Sequence, residues 1–144
     1  MPDATFRVKG VSETPARLAI RCGKHELYVD KPEVMGGSDM GTTPLHYTLA
    51  ALGGCLHTVG QMVAKEMAFE LDSFEVTVTG SINPAKLQGQ ESEDRAGFKK
   101  IEVAVKVDSS ADPDTLAKWL AAVEARCPVS ENLQNPTEVK VTMA

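Results

Sequence analysis

The run PLHYTLAALGGCLHTVGQMVA, residues 44–64, decides how the rest of the chain is read. Leu45, Leu49, Leu52, Leu56, Val59 and Val63 recur at steps of four and three, the spacing that lines side chains along one face of an α-helix. Thr43 offers a capping hydroxyl, and Pro44 suits the first helical position, where its missing amide proton would have no partner anyway. The helix is therefore predicted to begin at Pro44. Its other positions include Ala50, Ala51, Gly53, Gly54 and Gly60, so small or apolar residues cover much of the circumference and the helix reads as buried nearly all round. Each of the adjacent glycines Gly53 and Gly54 costs about 1 kcal/mol relative to Ala inside a helix, which predicts that another backbone approaches closely there.

Outward from this helix the chain changes period. Upstream, FRVKGV, ARLAIRC and HELYVD read as strands, the last two separated by Gly23-Lys24, a two-residue hairpin signal. KPEVMGGSDMGTTP, rich in Gly and Pro, is the loop that leads into the helix. Downstream, SFEVTVTGSI and KKIEVAVKVD alternate with period two and read as antiparallel strands. NPAKLQGQESEDRAG between them is a polar connector without periodicity. A second helix opens at Ser110-Ala111-Asp112-Pro113, turns Leu116, Trp119, Leu120 and Val123 inward, and stops at Pro128 after Cys127. Ser130 is placed to cap a further turn, and EVKVTM is expected to close the chain as a strand. The fold class is α+β, with antiparallel sheets packed on a long buried central helix, in a single domain over residues 1–144.

Composition narrows the function classes. An apolar fraction of 42% and a charged fraction of 24% are those of a globular protein, and no apolar run reaches membrane-spanning length. The opening MPDATFRVKG lacks the cationic start and apolar stretch of a secretory signal, so the expected compartment is the cytoplasm. A net charge of −5 with no basic stripe argues against a nucleic-acid partner. Cys22, Cys55 and Cys127 form an odd set without a Cys-x-x-Cys, which fits neither a secreted disulfide framework nor a zinc knuckle. His46 and His57 share a helix face but would stand about 16 Å apart along it, beyond shared coordination of one metal. His57 lies two residues from Cys55 and points elsewhere on the helix. GGSDMG lacks the Lys-Ser/Thr ending of a phosphate loop.

Two thiols are then the candidates for chemistry. Cys55 follows Gly53-Gly54 on the helix, and Cys127 sits beside a proline where the chain turns. Taken alone, a cysteine in an apolar helix is a small hydrophobe, and nothing in the local sequence forces these two together.

GGSDMGTTPLHYTLAALGGC (residues 36–55) and CPVSENLQNP (residues 127–136) resemble, in order, the two cysteine segments of the OsmC/Ohr family, in its OsmC-like branch. The strand and helix pattern is similar from about residue 6 to the C-terminus. The resemblance implies an intertwined homodimer in which each central helix packs against its partner, and a thiol-dependent peroxidase acting on organic hydroperoxides. It implies Cys55 as the sulfur that attacks the peroxide, Cys127 as its resolving partner, and an external dithiol as reductant, with no bound cofactor or metal. A free thiol titrates near ~8.5, and the helix start lies roughly 16 Å from Cys55, so a cation must favour its thiolate. The family's early-strand arginine matches Arg17, with Arg21 as the neighbouring alternative; a planar guanidinium could hold thiolate and peroxide oxygen together.

One position departs from the family pattern. A glutamate that orients the arginine follows the helix-start proline in the family's peroxidases, and here that position is Leu45. Another acid such as Glu66 or Glu70, or backbone and solvent, would have to take over, or the activity is weakened. Cys22 reads as a bystander. The competing class is a non-catalytic dimeric module that binds a small apolar ligand and has inert thiols.

Overall fold

A computed structural model describes residues 1–144. Contacts divide the chain into two compact units, Met1–Thr48 and Leu49–Ala144.

The first unit holds a three-stranded antiparallel meander of β1 (Lys9–Ser12), β2 (Leu18–Cys22) and β3 (His25–Val29). β1 pairs with β2 from Lys9↔Arg21 to Ser12↔Leu18, and β2 with β3 from Leu18↔Val29 to Cys22↔His25. The Gly23-Lys24 hairpin forms as the dipeptide predicts, with Gly23 at φ +60. A turn of 3₁₀ helix over Glu33–Met35 starts the Gly-rich loop. That loop folds around Asp30, which is 1% exposed. Glycine is obligatory at two points in it: a Cβ on Gly37 would lie 1.9 Å from the Lys31 carbonyl oxygen, and one on Gly41 1.8 Å from that of Tyr28.

Helix α1 spans Pro44–Glu66 and starts where the sequence places it. The Thr43 hydroxyl accepts from the His46 amide at 3.5 Å and contacts the His46 ring at 2.9 Å. The far end has no glycine. Ala68 takes the left-handed conformation at φ +59, and the Phe69 amide bonds back to the Ala64 carbonyl.

In the second unit, β4 (Ser73–Ser81) and β5 (Lys100–Asp108) form a two-stranded antiparallel sheet, with Val76 opposite Val105 and Val78 opposite Val103. Alternation along β4 is strict: Phe74, Val76 and Val78 are half-buried and their neighbours exposed. α2 (Pro113–Arg126) is capped by Asp112, whose carboxylate accepts from the Thr115 amide at 2.8 Å. α3 (Pro128–Gln134) follows at once. The core joins Leu52, Leu56, Val59, Val63 and Ala64 of α1 to Trp119 and Val123 of α2 and to Cys127. Trp119 donates its indole proton to the Gly60 carbonyl at 2.8 Å, which satisfies the one polar atom of an otherwise apolar residue.

Several expectations are corrected. α1 buries one face, Leu52, Gly53, Leu56, Val59, Gly60, Val63 and Ala64, while Ala50, Ala51, Gly54, His57 and Thr58 stay exposed, so within one chain it is not buried all round. Within the single chain no backbone reaches Gly53-Gly54: the Val76 and Val78 side chains lie in ordinary contact beside Gly53 and the space beside Gly54 is open, while the tightest contact is at Gly60, where a Cβ would stand 3.1 Å from both the Phe74 and Trp119 rings. Leu120 is exposed rather than inward. Ser130 lies inside α3, and Cys127 is the cap. EVKVTM forms no strand: it has no neighbour to pair its backbone groups, and Val139, Val141 and Met143 project into solvent.

The connector between β4 and β5 is pinned at its base. Asp94 accepts from Asn83 Nδ2 at 2.7 Å and pairs with Lys99 Nζ at 2.9 Å, while the Lys99 amide donates to the Ser81 carbonyl at 2.8 Å. No helix is long and apolar enough to cross a membrane.

Candidate active site

The two motif cysteines meet in the second unit. Cys55 is half-buried on α1 against the core cluster, and Cys127, 1% exposed, belongs to that cluster. Both sulfurs are free, and Cys55 packs against the cluster that contains Cys127. Cys127 ends α2 and begins α3, and its Sγ accepts from the Ser130 amide at 3.4 Å. Pro128 makes this possible, because a proline at the first helical position withholds no needed donor and fixes the backbone for the turn. Burial pushes the Cys127 thiol above its ordinary value, the Ser130 amide draws it back in part, and the neighbouring Cys55 side chain pushes it up again. Cys127 is therefore held as a neutral thiol beside a sulfur that is more open to solvent.

A cleft of about 430 Å³ in the second unit, lined by neither cysteine, has Leu52, Leu56, Phe98, Ile101, Val105 and Leu120 on its apolar side and Arg95, Lys99, Lys100 and Glu124 among its polar contributors. Its walls come from the same two turns of α1 that carry Cys55. Such a cleft suits an apolar group of modest size.

Arg17 lies in the first unit, at the end of the turn that joins β1 to β2. Thr14 shapes that turn by accepting the Arg17 amide on its hydroxyl at 2.9 Å. The Arg17 side chain, 19% exposed, is held on several sides. Its Nε donates to Glu13 Oε2 at 2.8 Å, and Nη1 donates to Ser38 Oγ at 2.7 Å and faces Met40 Sδ. The guanidinium stands 6.0 Å from the centre of the Tyr28 ring. Ser38 in turn donates to Asp30 Oδ2 at 2.7 Å. Asp30 also accepts from the Lys31, Ser38 and Met40 amides, and these bonds, led by that of Ser38 Oγ, hold its carboxyl down to about 2. The alternative cation, Arg21, lies in β2, is largely exposed, and reaches only Glu26 at 3.6 Å.

Of the two acids named from sequence, Glu66 is engaged elsewhere through its carboxylate, and Glu70 is held only through its backbone. Glu66 is bound in two-pronged fashion by Arg126, one prong at 3.0 Å, which ties the end of α1 to the end of α2 next to Cys127. The Glu70 carbonyl accepts from Ser109. Glu13, Asp30 and Ser38 were not legible as partners of Arg17. Glu13 stands four residues before it, a helical pairing distance, yet the intervening TPA is a turn. Of the histidines, His46 contacts Thr43, and His57 stacks edge-on against Phe74 at 5.1 Å. Cys22 is half-buried at the end of β2.

A family model described as OsmC-like protein matches residues 36–142, which include both cysteine segments. Among solved structures, the chain is similar to an OsmC-like protein from Mycoplasma pneumoniae, with a TM-score of 0.80 at 18% identity over 92% of this chain and 89% of that one. An organic hydroperoxide resistance protein OsmC from Legionella pneumophila gives 0.64 at 19% identity, covering 93% and 92%. The organic hydroperoxide resistance protein OhrB of Bacillus subtilis gives 0.59 at 21% identity, covering 91% of each chain. At these identities the likeness is one of fold. A search of curated proteins by sequence found no match.

Proposed function

Because the chain belongs to the family of OsmC-like proteins, we propose that it is a thiol-dependent peroxidase that reduces organic hydroperoxides in oxidative-stress defence. The observation that carries this reading is the meeting of Cys55 and Cys127, which lie in separate sequence segments and on different helices, in one core. The relatives from Legionella and Bacillus, described as organic hydroperoxide resistance proteins, support the class of substrate.

In the proposed cycle the Cys55 thiolate attacks one oxygen of the O–O bond. That bond breaks, the other oxygen takes a proton and leaves as the alcohol, and Cys55 becomes a sulfenic acid. Cys127 then attacks the Cys55 sulfur, a disulfide forms and water departs. An external dithiol reduces the disulfide and is itself oxidised to one, so the chain needs no bound cofactor. The raised pKa of Cys127 supports its role as the second sulfur, since a thiol kept neutral competes poorly for peroxide. Arg17 is assigned the cation that favours the Cys55 thiolate. The apolar side of the cleft, Leu52, Leu56, Phe98, Ile101 and Val105, supports an alkyl substituent on the peroxide, each buried methylene contributing about 0.8 kcal/mol. A homodimer working in the reducing cytoplasm completes the proposal.

The test is a pair of variants. Cys55→Ser should abolish consumption of cumene hydroperoxide with a dithiol donor. Cys127→Ser should still reduce one equivalent in a single turnover, leaving a sulfenic acid that dimedone traps and mass spectrometry locates at Cys55. If Cys55→Ser keeps the first turnover and Cys127→Ser loses it, the roles are reversed. The same cleft favours a second reading, a non-catalytic module for a small apolar ligand. Three uniformly slow thiols on titration would favour it over the enzyme.

A further inference from the structure

Cys127 has a structural task besides its chemical one. Its sulfur accepts the Ser130 amide at 3.4 Å and is the side-chain cap of α3. The helix it caps is slight: seven residues, none of them buried. A helix of that length is marginal unless its end is capped or a neighbour holds it. The other side-chain bonds of α3 are local. Asn132 Nδ2 donates to the Pro128 carbonyl at 2.9 Å, Gln134 Nε2 to Ser130 Oγ at 2.9 Å, and Thr137 Oγ1 to Asn132 Oδ1 at 2.7 Å; none reaches α1, β4 or β5. Val129 rests against the core, and Ser130, Leu133 and Gln134 form one wall of the cleft. Outside α3 itself, the Cys127 sulfur is the side-chain group that meets its leading amides.

We propose that α3 is a redox-gated flap: when Cys127 joins Cys55 in a disulfide, α3 loses its cap, loosens, and opens the wall it gives to the cleft. The inference rests on the proposed pairing of the two cysteines and not on the identity of the oxidant. A free thiol sulfur can stand as acceptor at the head of α3. Bonding to Cys55 draws that sulfur towards α1 and gives it a second sulfur in place of its proton, which leaves a poorer partner for an amide. The Ser130 amide is then an unpaired donor at a helix start, and water satisfies it only if the first turn opens. Reduction restores the thiol and with it the cap. The open form therefore belongs to the oxidised chain, where the proposed dithiol has to reach a disulfide whose Cys127 half is otherwise 1% exposed.

The experiment compares hydrogen exchange of the full chain before and after oxidation with diamide, read by mass spectrometry on peptides that span α3. Diamide takes the two thiol protons and two electrons into its N=N bond and becomes a hydrazine as the S–S bond forms, and peptide mapping locates that bond. With Cys55 linked to Cys127, exchange in α3 should quicken roughly fivefold, the scale of one lost cap, while peptides from α2 hold their rate. Three variants, each checked for an unchanged dichroism spectrum, separate the cap from the bond. Cys127→Ala should show the faster exchange already in the reduced state. Cys127→Ser, whose hydroxyl also caps, should stay protected with or without diamide, and so should Cys55→Ser. An oxidised chain whose α3 exchanges as before, or whose α2 loosens equally, would overturn the inference and leave the proposed peroxidase standing. Failure of diamide to link Cys55 to Cys127 would overturn it as well. If diamide loosens α3 but the chain consumes no hydroperoxide, the flap stands and the peroxidase reading fails.

Discussion

Asp30 shows how much one residue can organise. It is the only buried residue of Met1–Thr48, and it is a carboxylate with three backbone amides and a hydroxyl aimed at it. Its folded pKa of about 2 lies below the ordinary 3.8, so the fold favours its charged form. The stabilisation is complete above pH ~4 and is lost as pH falls through the window towards ~2. Melting temperature measured against pH should therefore drop across that window in the unmodified chain. Asp30→Asn should melt lower at neutral pH and lack that part of the acid-induced drop, because a neutral amide cannot satisfy the same four donors as a carboxylate. An Asn variant with the full acid-induced drop would show that other groups cause it. None of this was visible in YVDKPEVMGGSDMG, where the composition marks a loop but not which acid turns inward. The same holds for Glu13 and Ser38. Their meeting at Arg17 depends on a turn and a loop closing together, and neither has a period that sequence reading can detect.

At the scale of elements, what was legible is what is periodic. α1, β4, β5 and α2 lie where their three-four or alternating patterns put them, and Gly23 marks its hairpin. Failures fall where a neighbour decides. Leu120 fits the inward spacing of α2 but is exposed, and EVKVTM alternates like a strand without an edge to join. Gly60 was read as one small residue among several, although it is the close contact. A Cβ there meets both the Phe74 and Trp119 rings at 3.1 Å and would strain the bond from Trp119 to the Gly60 carbonyl. Gly60→Ala should cost about 1–3 kcal/mol, as overpacking of a core does, against a helix-propensity gain of about 1 kcal/mol. Chemical denaturation of this variant would check the sign: a stabilised protein would mean that the two rings can shift at little cost.

At the scale of the whole molecule, the distribution of buried surface is uneven. All eight buried apolar residues belong to Leu49–Ala144, and none belongs to the first unit. Val139, Val141 and Met143 of the tail and the small-residue face of α1 around Gly54 are uncovered in the single chain. These features support the proposed homodimer. Sedimentation at micromolar concentration should give twice the chain mass, and Gly54→Ala, harmless inside one chain, should shift the equilibrium towards monomer if helices meet at that face. A monomer in the unmodified protein would end the proposal. The β4–β5 connector has the opposite character, because its ends are fixed to each other by Asp94, Asn83, Lys99 and Ser81 rather than by its length. Doubling the stretch between Pro84 and Glu93 would add only about 0.6 kcal/mol of closure entropy. The segment around Gln88-Gly89 is thus a graft point, where an epitope or fluorescent peptide could be spliced in while the strands keep their register.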